Sequence, residues 1–197
     1  KELALELAVA LAKQEDADYE AACKEAFAVI QKGGPWANNA RRALAEILEM
    51  CPPRERRRLS LPADQWFEAA NGYYSIGSEA HIKHKNVQEK DKAQAAVLLE
   101  EAHKNLNLAI EYFRRAITLA RAKNTPLHVR LRVEPQCWAR MGLAYYKMGD
   151  YHEAVIVCGA GLRSFSNANV LKMLKSDPKF GSKIANIALP KDPATDQ

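Results

Sequence analysis

The chain has 197 residues, 48% of them hydrophobic, which suffices for one domain with a sizeable buried core. Its 29 Lys and Arg against 24 Asp and Glu give a net charge of +5 on a mixed surface, unlike the basic stripe with interleaved aromatics of a dedicated nucleic-acid binder. Nine Gly and nine Pro are too few for a disordered chain, and no apolar run reaches the roughly 20 residues a membrane span needs, so no membrane partner is expected.

Residues 2–32 read as two helices. Leu3, Leu7 and Leu11 mark the first, Asp16-Ala17-Asp18 is a cap-and-turn signal, and Tyr19, Ala22, Ala26, Val29 and Ile30 mark the second. Glu6 and the acidic residues that follow argue against a signal peptide. Without an initiator Met, the chain reads as a piece of a longer polypeptide or a processed one. Gly33-Gly34-Pro35 stops the pair, and a third helix runs from Trp36 to Met50 on the stripe Trp36, Ala40, Ala43, Leu44, Ile47 and Leu48. Cys51-Pro52-Pro53 ends it, because the residue before Pro avoids the helical region and Pro donates no backbone bond. Arg54, Arg56, Arg57 and Arg58 follow, either as a solvated link or as a patch for phosphate or an acidic surface.

Pro62 and Asp64 open a second segment, in which Trp66, Ala69, Ala70, Tyr73 and Gly77 share the spacing of Trp138, Met141, Gly142, Tyr145 and Gly149. Ala109, Phe113, Ala116 and Ile117 then match Ala154, Cys158, Gly161 and Leu162. Residues 78–104 are extra in the first copy. They are rich in Lys, Glu, Gln and His, with Ala95, Leu98, Leu99 and Ala102 on one helical stripe, so they are expected to lengthen two antiparallel helices. Asn124-Thr125-Pro126 breaks the chain, and the basic alternating run 127–133 is expected as a crossing segment.

In the stretch 135–168, Trp138, Met141 and Tyr145 form one stripe and Ala154, Cys158 and Leu162 another. Gly142 would let a neighbouring backbone approach, and Gly149-Asp150 would turn the chain. This resembles the tetratricopeptide repeat, whose W-x-x-L-G-x-x-Y…A-x-x-x-F pattern recurs at about 34 residues. Met141 stands for its Leu, Cys158 for its Phe and Ser166 where a Pro is usual. Asp18-Tyr19-Glu20-Ala21-Ala22, similar to Asp150-Tyr151-His152-Glu153-Ala154, reads as a degenerate copy.

The resemblance implies an all-α, right-handed helical-hairpin solenoid with a long helical insertion. It spans 1–188 as one domain: degenerate repeats at 1–60, the inserted repeat at 61–125, the clearest repeat at 134–168, and a capping helix at 169–176. Asp177-Pro178 is a loop signal, and 189–197 reads as a tail or linker. The family binds protein or peptide partners in a concave groove lined by the first helix of each hairpin. Carried onto this chain, the groove positions are Asp64, Phe67, Asn71 and Tyr74, then Gln136, Arg140, Leu143, Tyr146 and Lys147. The alternative is a helical adaptor that binds nucleic acid or an acidic partner through Arg54, Arg56, Arg57 and Arg58.

No nucleotide-binding, zinc-protease or serine-hydrolase motif occurs, so neither an enzyme nor a cofactor is expected. His81 and His84 lie at helical spacing without a completing ligand, and no metal site is expected. Cys23, Cys51, Cys137 and Cys158 lack any C-x-x-C logic, which points to buried thiols in a reducing, cytoplasmic setting.

Overall fold

The computed structural model describes residues 2–14 and 16–164, and among these it contains eight α-helices and no strand. They are α1 (Glu2–Ala12), α2 (Tyr19–Gln31), α3 (Ala37–Met50), α4 (Pro53–Arg56), α5 (Ala63–Val87), α6 (Lys92–Ala120), α7 (Leu127–Met148) and α8 (Tyr151–Ser164). The expected cap at 169–176, the loop at 177–178 and the tail at 189–197 lie outside the described residues.

Local signals set most boundaries. Asp18 caps α2 by accepting from the Ala21 amide at 2.9 Å, and Asp91 caps α6 by accepting from Gln94 at 2.9 Å. Gly149 ends α7 at φ +84°, a left-handed conformation that costs glycine little. Chain neighbours pack as α1–α2, α2–α3, α5–α6, α6–α7 and α7–α8, while the odd-numbered helices touch in series, α1 to α3 to α5 to α7. The core between them holds Trp66, Tyr73, Tyr112 and Phe113, each nearly inaccessible. Their rings interlock across α5 and α6, with Tyr112 centred 5.2 Å from Trp66 and 5.4 Å from Tyr73.

The expected stripes of α2 and α3 are buried except for Tyr19 and the N-cap Trp36, which are half-buried, but α1 packs differently. Leu5, Ala8 and Ala12 face inward, while Leu3 is 79% and Leu7 57% exposed. The alanines let α1 lie close to its neighbours, and the outer leucines are left exposed among the described residues.

Residues 78–104 do lengthen both helices of the α5–α6 hairpin, which turns at 88–91. Its seam is built from small residues: Ala80, Ala95 and Ala102 are buried, with Leu98 and Leu99 half-buried beside them. Gly77 lies mid-helix and not at a turn, because a Cβ there would sit 2.9 Å from Leu106 Cγ and 3.0 Å from the Ala102 carbonyl. A glycine at the repeat's turn position is here used for close helix contact.

A second correction concerns 127–133, which is helical and forms the first turns of α7. The helix continues through Pro135, which withholds an amide from the Leu131 carbonyl. Leu131 is 54% exposed, so water can replace that bond. The adjoining Glu134 is buried, accepting from Arg121 Nε at 2.7 Å, Arg130 Nε at 3.1 Å and Trp138 Nε1 at 3.4 Å. The Arg121 bond ties the N-terminal half of α7 to the end of α6, while Arg130 and Trp138 bond the carboxylate from within α7.

Candidate functional site

Where α3, α5 and α7 meet, Asn38, Arg41, Asn71, Tyr74, Ser75, Ser78, Glu79 and Arg140 line a cleft of about 290 Å³. Larger hollows exist, about 530 Å³ between α1 and α3 and about 730 Å³ at the start of α5 and α7. The smaller cleft is distinguished by the polar and charged groups that converge on it from three helices.

One wall is a linked set. Arg41 Nε donates to Glu68 at 2.6 Å, Arg41 Nη1 to Asn38 at 2.9 Å, and Asn71 Nδ2 to the same Glu68 oxygen at 3.2 Å. Asn71 is buried, and its Oδ1 has no partner among the described residues. A backbone oxygen occupies the space a larger residue would need at the next position: a Cβ on Gly72 would meet the Arg41 carbonyl at 2.1 Å, so α3 and α5 cross here in backbone contact. On the other wall Tyr74 takes Arg140 at 5.6 Å and Lys147 at 6.0 Å from its ring centroid. Burial pushes the Tyr74 phenol up, so it is a hydroxyl at neutral pH. Burial and the charge of Lys85 push the Lys147 ammonium down.

The nine sequence-predicted groove positions do not form one surface. Asn71, Tyr74 and Arg140 line the cleft, and Lys147 lies outside that lining with its Nζ 6.0 Å from the Tyr74 ring centroid. Phe67 does not: it is 7% exposed, with its ring 6.0 Å from Phe113. The reason is that α6 crosses α5 on that side and fills the space a ligand would need. Asp64 lies at the start of α5, accepting from its neighbour Gln65 and paired with Arg132 at 3.5 Å, and lines the larger hollow instead. Gln136 is exposed and donates to the Arg132 carbonyl at 3.2 Å. Leu143 is half-buried, and Tyr146 packs its ring edge against Tyr151 at 5.5 Å. Asn38 and Arg41 were missed, since nothing local in α3 shows which helix it will lie against.

The arginine run divides as well. Arg54, Arg57 and Arg58 are exposed. Arg56 is not a surface group: it donates to the Cys51 carbonyl at 2.8 Å, the Glu49 carbonyl at 3.2 Å and the Tyr112 hydroxyl at 3.2 Å. Arg115 from α6 stacks 3.8 Å above Trp66 and donates to the carbonyls of Arg56, Arg57 and Leu59. The segment is a strap in which arginines satisfy backbone carbonyls that no helix covers.

His81 and His84 lie with ring centroids 6.4 Å apart, and His84 Nδ1 is 2.9 Å from the Ala95 carbonyl. Among the described residues no three His, Cys, Asp or Glu side chains converge as metal ligands, and no helix is long and apolar enough to cross a membrane. The four cysteines are buried and form no disulfide; burial pushes the thiols of Cys23 and Cys158 up to about 12. No family model, curated protein or solved structure matches this chain.

Proposed function

We propose that this chain is a tetratricopeptide-type protein-interaction module that takes an extended peptide segment of a partner in the cleft between α3, α5 and α7. The observation that carries this reading is the convergence of Asn71, Tyr74 and Arg140 on one open cleft between three helices. A peptide needs three kinds of contact there. Asn71 Oδ1, unpartnered among the described residues, can accept a main-chain amide. Tyr74 offers an aromatic face, and Arg140 a planar fork for an anionic oxygen. The serial contacts of the odd-numbered helices support the repeat reading.

Selecting random dodecapeptides on the immobilised chain and titrating the selected ones into variants tests this. Tyr74→Ala should weaken binding by about 1–3 kcal/mol, as for an aromatic hot spot. Ser75→Arg, which places a long side chain in the cleft, should block it. If both variants bind as well as the parent while Arg57→Ala with Arg58→Ala abolishes binding, the cleft is not the binding face and the exposed arginines are.

A further inference from the structure

We propose that the notch where α5 faces α7 receives a phosphorylated side chain of the bound peptide, gripped by Arg140 and Lys147 with His81 and Lys85 at its rim; this rests on reading the α3/α5/α7 face as the peptide-binding face. Tyr74, His81 and Lys85 recur at i, i+7 and i+11 and so share one stripe of α5. Arg140 and Lys147, seven apart, share one stripe of α7. The Tyr74 ring, within 5.6 Å of the Arg140 guanidinium carbon and 6.0 Å of Lys147 Nζ, brings the two stripes together.

What sets this place apart is its uncompensated charge. Other partly covered arginines have partners: Arg41 has Glu68, Arg121 and Arg130 share Glu134, and Arg56 and Arg115 hold backbone carbonyls. Arg140, Lys147 and Lys85 have no carboxylate partner among the described residues, although Lys147 is half-buried. The nearby Glu79 is taken by Arg42. Lys147 gains something from the C-terminal end of α7, but Arg140 lies two turns too early for that. Cations gathered without counter-charge repel one another, and a bound anion would relieve them. A phosphomonoester carries about −1.5 to −2 charges at neutral pH and three acceptor oxygens, matching Arg140 and Lys147 together, whereas a carboxylate would leave one charge over.

The groups around His81 support the same reading. His84 and Lys85 from α5, His103 from α6 and Lys147 from α7 act on it, and with burial as the largest cause its imidazole is pushed down to about 4. It is therefore neutral at pH 7, and a dianion in the notch would draw a proton onto it.

The test uses three pools of degenerate nonapeptides, with phosphoserine, glutamate or serine at the centre, passed over the immobilised chain. The phosphoserine pool should be retained at least about tenfold above the other two, the effect of one charge-assisted contact. The double variant Arg140→Gln with Lys147→Met, which keeps both apolar stems, should lose that preference while melting like the parent by circular dichroism. Arg57→Ala with Arg58→Ala should keep it. By NMR, the His81 imidazole should titrate at higher pH with the phosphopeptides bound. Equal retention of the glutamate pool would overturn the phosphate assignment. Equal retention of all three pools would overturn the notch and leave the peptide cleft standing, and retention of none would remove both. An unmoved His81, or a preference lost with Arg57 and Arg58, would also overturn it.

Discussion

The Glu134 carboxylate on α7, with none of its surface exposed, accepts a hydrogen bond at 2.7 Å from Arg121 Nε at the end of α6. Burial works to raise its pKa, but the hydrogen bonds from Arg121, Arg130 and Trp138 outweigh it and hold the carboxyl below the ordinary 4.5. Because the folded value is depressed, the unfolded chain takes up this proton first, so acidification favours unfolding. The contribution is complete above the ordinary carboxylate value and is lost as pH falls through the folded one. Glu134→Gln should cost about 1–2 kcal/mol at pH 7, moderated because both arginines are half-exposed. Urea midpoints at pH 7 and pH 3.5 check this: the gap between parent and variant should narrow at the lower pH.

Gly142 and Cys158 form another pair. A Cβ at Gly142 would lie 2.3 Å from Cys158 Sγ, where α7 meets α8. Gly142→Ala should destabilise by about 1–3 kcal/mol through overpacking, and adding Cys158→Ala should recover part of that loss. Gly72→Ala should have no such remedy, since its Cβ would meet the Arg41 backbone oxygen. Thermal melts of the two singles and the Gly142/Cys158 double variant separate the cases.

Arg56→Ala should destabilise the chain by about 1–3 kcal/mol, because it unsatisfies the Cys51 carbonyl and the Tyr112 hydroxyl. Arg57→Ala, on an exposed side chain, should stay within about 0.5 kcal/mol of the parent. Equal effects in denaturant melts would contradict the strap.

Limited trypsin digestion should cut the α5–α6 hairpin first at Lys90 and Lys92, in or beside the 88–91 turn, and spare Lys83 and Lys85 on helical backbone. Cleavage spread evenly over 78–104 would mean that the arm opens as a whole.

The four buried cysteines should react with a thiol reagent only after unfolding, since burial raises each thiol and keeps the reactive thiolate scarce. Rapid native-state labelling at pH 8, read by mass spectrometry, would show the packing around them to be looser.

The limits of α2 and α7's C-terminal end and the stripes of α2 and α3 were legible because their causes are local, unlike the stripe of α1 and the start of α7. Asp18 and Gly149 act on amides or dihedrals within a few residues, and Ala22, Ala26 and Ile30 repeat at a period the helix itself imposes. The binding face was legible only in part: Asn71, Tyr74 and Arg140 line the cleft, but Phe67, on the same helix as two of them, is closed off. A helix has several faces, and which of them another helix covers depends on crossings between residues far apart in the chain. Such crossings put α6 over Phe67, brought Arg41 to Glu68, and turned Arg56 inward while Arg57 stayed out. They also carried α7 through Pro135, where the local rule stops a helix and the buried Glu134 carboxylate, bonded to α6, holds it on course.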